Sequence, residues 1–142
     1  MIEHFTNLLH RHPVVFFHLL TAVAALLLGL VILLRRKGTP IHRAMGWTWV
    51  VLMGGTAIAS AFIRDYHMPN VLGFTPIHAF TVLVAVGLPR GIWFIRHGNV
   101  AAHRKTMRGL YIGGCVVAGV FTLAPGRFLG GLLWHDLLGL VA

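Results

Sequence analysis

Two tetrads in this sequence, HLLT at residues 18 to 21 and HAFT at residues 78 to 81, each set a threonine about one helical turn beyond a histidine in apolar surroundings. Two further histidines, His42 and His103, each stand directly before an arginine, Arg43 and Arg104. Imidazole ligates iron, zinc and copper, and it exchanges protons near neutral pH. Which of these it does here depends on the solvent around the four rings and on the elements that hold them.

The chain has 142 residues, of which 57% are hydrophobic, with 12 basic and three acidic side chains and a mean hydropathy of +0.80. So few charges do not cover the surface of a soluble domain, and an integral membrane protein is expected. Four apolar stretches, near residues 14–34, 44–63, 77–95 and 107–124, approach the roughly 20 helical residues needed to cross a hydrocarbon core of about 30 Å. The short alternating segments of a membrane β-barrel are absent from the sequence. The expected fold is all-α: a single membrane domain over residues 1–142, built as a bundle of four transmembrane helices.

Charge along the chain orients it. Arg35, Arg36, Lys37 and Arg43 follow the first stretch, while Arg90, Arg96, Arg104, Lys105 and Arg108 surround the junction of the third and fourth. Arg11, Arg64 and Arg127 fall on the other side with all three acids, Glu3, Asp65 and Asp136. The positive-inside rule then puts both basic loops in the cytoplasm and both termini outside a bacterial inner membrane. The net charge of +9 is a topology signal, and nucleic acid is not an expected partner. The polar first 12 residues do not resemble a cleavable signal, so the first span is expected to be retained. Residues 1–12 and 127–142 read as segments lying at the outer interface, and Trp47, Trp49, Trp93 and Trp134 as a set that includes interfacial anchors. Cys115, the single cysteine, excludes an internal disulfide and reads as a small packing residue.

With this topology, His18 and His78 lie at one depth below the outer face, and His42 and His103 at another near the cytoplasmic edge. A rise of 1.5 Å per residue separates the layers by roughly 20–25 Å. The two halves also match: His18 to His78 spans 60 residues and His42 to His103 spans 61, as in a parallel repeat. Each layer offers two imidazoles from two helices, the arrangement that clamps a haem b between axial ligands. Thr21, Ala22, Ala25 and Gly29 below His18, and Thr81 and Ala85 below His78, would leave room for a ring. Arg43 and Arg104 would hold its propionates. Bis-imidazole ligation favours electron transfer, with quinol or a small soluble reductant as the partner. Arg64, Asp65, Phe74 and Arg127 form a candidate outer substrate pocket.

The plainer reading makes the same histidines hydrogen bonds between helices, and the small residues close-packing positions. The chain is then an accessory subunit of a larger respiratory or transport complex, or a homo-oligomer, meeting its partners at Gly54-Gly55 and Gly130-Gly131. A transporter or proton path is disfavoured, because no acid accompanies the histidines in the spans. A zinc site is disfavoured because each layer offers two ligands instead of four, although His4, His10 and His12 with His67 or His135 make an outer metal cluster conceivable.

The stretches KGTPIHRAMGW, GFTPIH, GNVAAHRKTMRGLY and FTLAPGR resemble a bacterial family of small predicted membrane proteins catalogued as a domain of unknown function, over about residues 14 to 130. That resemblance implies four spans and no particular activity. More remotely, the two-layer histidine layout is similar to that of the dihaem transmembrane cytochromes b. This likeness implies haem iron ligated by His18 and His78 and by His42 and His103.

Overall fold

Two helix starts in this chain are set by polar caps, Thr39 and Asn99, placed ahead of the apolar runs. The computed structural model describes residues 13–63 and 78–123. Helix α1 spans Pro13–Leu34, opening on a proline whose fixed φ suits a first turn. Helix α2 spans Pro40–Phe62, and the Thr39 side chain caps it by accepting from the His42 amide at 3.1 Å. Helix α3 spans His78–Arg96. Helix α4, Val100–Leu110, is capped by Asn99, which accepts from the Ala102 amide at 3.0 Å. It continues through a π-helical segment, Tyr111–Val117, into the short α5, Ala118–Thr122. The dihedrals stay right-handed helical across both junctions, so these three pieces form one rod and the described residues make four helices.

No strand occurs among the described residues, and α1, α2 and α3 are each long and apolar enough to cross a membrane. Two helices begin earlier than their apolar runs. α2 starts at Pro40 and α4 at Val100, whereas hydropathy marks the runs from 44 and 107. The cap and the polar first turn lie outside the apolar count, yet they are helical. His42-Arg43 and His103-Arg104 therefore ride on the opening turns of α2 and α4.

Gly38 and Gly98, at φ +83° and +75°, close the two tight connections between α1 and α2 and between α3 and α4. After α3 the Asn99 amide reaches back to the Phe94 carbonyl at 2.9 Å, and Gly98 to Ile95 at 3.2 Å. This is a Schellman turn, which needs a left-handed residue at its corner.

α1 packs on α2, α2 on α3 and α3 on α4, and the π segment touches both α1 and α3, which closes the ring. Ala25, Trp49, Met53, Val84, Leu88, Leu110, Tyr111 and Cys115 form the core, with Cys115 buried as a packing residue. Where lipid is as apolar as the core, helices are held by close packing and interhelical hydrogen bonds. Glycine provides the closeness: a Cβ on Gly87 would meet Leu110 at 2.5 Å, and one on Gly114 would meet Met53 at 2.9 Å. The outward faces carry exposed Leu27, Val51, Val86 and Ile112, as a lipid-facing surface should.

Trp49 is not an interfacial anchor. It is buried at 5% exposure, and its indole N–H donates to the Ala25 carbonyl at 2.9 Å. Trp47 and Trp93 are more than half exposed, as anchors would be. Trp134 and the interfacial segments 1–12 and 127–142 lie outside the described residues.

Candidate functional site

Both capped helix starts fall at one end of the molecule, because His42 and Arg43 of α2 and Val100, His103 and Arg104 of α4 line a single cavity of about 670 Å³, together with Lys37 and Gly38 of the first glycine turn. That volume lies within the roughly 300–1,000 Å³ usual for cofactor and small-molecule sites. His42 from α2 and His103 from α4 both line it, with apolar walls that include Ile32, Val50 and Ile92. Trp49 and Tyr111 also face it beside Gly29, where a Cβ would stand 2.5 Å from the tyrosine ring and 2.8 Å from the indole nitrogen. The π segment begins at Tyr111. Such segments recur at functional sites, where the extra residue per turn re-aims the side chains that follow.

The two imidazoles are held differently. Nδ1 of His103 lies 2.9 Å from the Gly91 carbonyl. A carbonyl only accepts, so Nδ1 carries a proton, and in the neutral ring Nε2 is then the nitrogen with the lone pair. Ligand histidines usually have this second bond, which fixes ring orientation and tautomer. Nδ1 of His42 is buried and has no hydrogen-bond partner among the described residues. The two rings are near enough to act on each other electrostatically.

Five cations line the same cavity: Lys37, Arg43, Arg96, Arg104 and Arg108, all with exposed side chains. The described residues contain no aspartate or glutamate, so no carboxylate among them balances these charges. The N-termini of α2 and α4 lie at the same end as the C-termini of α1 and α3, so the helix dipoles oppose one another there and the positive field comes from the side chains.

The other histidine pair is arranged as a seam. Nδ1 of His18 donates to the Thr56 carbonyl at 3.0 Å, and Nε2 of His78 to the Ile63 carbonyl at 3.2 Å. These acceptors are seven residues apart, Thr56 within α2 and Ile63 at its C-cap. Between them, Thr56 donates to Thr21 at 2.9 Å and Ser60 meets Thr81 at 2.5 Å. His18 and His78 are thus attached to two different stations of the helix that separates them in sequence. The small face below His18 is filled by protein as well: Ala25 is fully buried, and Gly29 takes the aromatic rings.

His97 is exposed and rests on Trp93, with ring centroids 4.3 Å apart. Arg64, Asp65, Phe74 and Arg127, the expected outer pocket, lie outside the described residues, as do His4, His10, His12, His67 and His135. No group of three or more His, Cys, Asp or Glu side chains suited to a metal ion occurs among the described residues. The sequence alone did not single out Trp49, Tyr111, Arg96 and Arg108 as neighbours of His42 and His103. A one-end count of the cations held the signal for the two arginines, but the aromatic pair had none.

No curated protein and no solved structure matches the chain significantly. The profile of DUF2306, described as a predicted membrane protein, matches residues 15–130, and the chain belongs to that family of membrane proteins.

Proposed function

We propose that this protein is a membrane electron carrier that binds one haem b at its basic end, between His42 and His103. The observation that carries the reading is the buried, unpartnered Nδ1 of His42 in a cavity shared with an imidazole whose tautomer is already set. The residues fit the group: two imidazoles from two helices, apolar walls, a volume in the range of cofactor sites, and Arg43 and Arg104 beside the histidines for two propionates. Haem held by these two histidines would supply a one-electron couple. The chain supplies the rest. Gly91 orients His103, the walls exclude water, and the arginines neutralise carboxylates that would otherwise be costly at the membrane edge. His18 and His78 serve as interhelical hydrogen bonds in this reading, so a second haem is not required.

The rod from Val100 to Thr122 is the fourth span. The basic end faces the cytoplasm of a bacterial inner membrane, as the positive-inside rule supports, and the two hairpins form a parallel repeat. The electron partners are quinol or a small reductant on one side and an acceptor on the other. The alternative, an accessory subunit of a larger membrane complex or a homo-oligomer, gains from the self-satisfied polar seam along α2 and from Gly54, whose open face has nothing within 4 Å.

The test is an absorption spectrum of detergent-purified protein from haem-replete cells, oxidised and dithionite-reduced, with haem counted per chain. A sharp reduced α-band at one haem per chain is expected, lost in His42→Ala or His103→Ala and retained in His18→Ala. A colourless protein ends the electron-transfer reading in favour of the accessory subunit, while loss of haem in His18→Ala alone returns the site to the outer layer.

A further inference from the structure

The cavity carries more positive charge than a haem needs. Five cations line it, no carboxylate occurs among the described residues, and two propionates would engage Arg43 and Arg104. Lys37, Arg96 and Arg108 are left as exposed cations on the cavity's lining and make up its basic mouth. Lys37, in the turn after α1, is tied back to that helix through the Leu33 carbonyl, and no carboxylate pairs with either arginine among the described residues.

From this we infer that the basic mouth is the docking site of a small, multiply charged anionic redox partner reaching the protein from the aqueous side. This inference rests on the haem reading and selects among its partners: a soluble anion such as a metal chelate, in place of a neutral quinone from the bilayer. The exchange is a single outer-sphere electron transfer. No bond forms or breaks and no proton moves, and one partner is oxidised as the other is reduced. The three spare cations raise the local concentration of the anion and orient it against the cavity. A quinol would have to release protons as well as electrons; among the described residues this end offers no carboxylate to take them, and its two cavity imidazoles, His42 and His103, are the ones assigned to the haem.

The same cations could instead hold phospholipid headgroups, so the experiment separates the two sources. Haem-loaded protein in phosphatidylcholine nanodiscs is dialysed against hexacyanocobaltate(III), a redox-inert trianion, and against hexaamminecobalt(III), a trication of similar size. Saturable one-to-one binding of the trianion alone is expected. Arg96→Gln with Arg108→Gln should weaken it about tenfold, the lower end of electrostatic focusing in charged clefts, while 0.5 M salt should remove the difference. Stopped-flow reoxidation by ferricyanide should slow in parallel in the double variant, with the rate for neutral menadione unchanged.

Equal binding of both complexes, or trianion binding indifferent to the double variant, overturns the inference. So does loss of trianion binding in nanodiscs containing phosphatidylglycerol, which would give the charges to lipid headgroups. Absence of the haem spectrum overturns the electron-transfer reading itself, whatever the dialysis shows.

Discussion

Gly29 is the residue on which the core and the cavity meet. A side chain there would run into the Tyr111 ring at 2.5 Å and the Trp49 indole nitrogen at 2.8 Å. Neither is the loose end of a flexible chain, and Trp49 is tethered to the Ala25 carbonyl. Gly29→Leu should therefore cost about 1–3 kcal/mol, the usual range for overpacking, and should displace the aromatic floor of the cavity. Gly109 gives the control, because nothing lies within 4 Å of where its Cβ would be. Gly109→Ala should be neutral or stabilising by up to about 1 kcal/mol, since alanine has less backbone entropy to lose in a helix. Reversible unfolding in mixed micelles distinguishes the two; equal effects would show that the packing around Gly29 is not as close as described.

Among the elements, α4 matters most to the site, because its opening turn carries His103 and Arg104. The Asn99 cap fixes that turn through the Ala102 amide, while the His103 amide bonds to the Asn99 carbonyl at 3.0 Å. Asn99→Ala keeps the backbone bond and loses the side-chain one, so a loss of about 1 kcal/mol is expected, with weaker haem retention than in wild type. Thr39→Ala should act alike on α2 and His42. A variant with full stability and full haem content would show that the first turns are held by something other than their caps. These caps also explain where the sequence was legible and where it was not. Apolar runs located the helices, since hydrophobic length is what a bilayer requires. They missed the starts at Pro40 and Val100, because capped polar turns contribute nothing to an apolar count. Helix rotation was illegible for a related reason: α1 is apolar nearly all round, so periodicity does not say which way His18 points. Packing decides it, through Thr56 and the close fit at Gly29. The common depth of His42 and His103 was legible from the topology that charge implies, whereas the cavity they share takes its floor from Trp49 and from Tyr111 at the start of the π segment, which no spacing in the sequence marks.

For the whole molecule the governing asymmetry is charge. Nine basic residues and no acidic one fall among the described residues, and both glycine turns open on the same basic end. In the orientation proposed above, the positive-inside rule would keep this end in the cytoplasm. The consequence can be checked with cysteine labelling, because the native Cys115 is buried and should react slowly. Arg36→Cys and Lys105→Cys replace exposed residues that do not line the cavity, and Leu123→Cys marks the far end of the fourth helix. An impermeant maleimide applied to intact spheroplasts should label Leu123→Cys and spare the other two, and inverted vesicles should reverse the pattern. Labelling of all three from one side would mean that the rod from Val100 to Thr122 does not cross. The inverse pattern would turn the basic cavity outward, so that its anionic partner would have to come from the periplasmic side. The position of the redox partner is thus tied to the membrane orientation of a few arginines, which is why orientation and partner class stand or fall on measurements of the same end of the molecule.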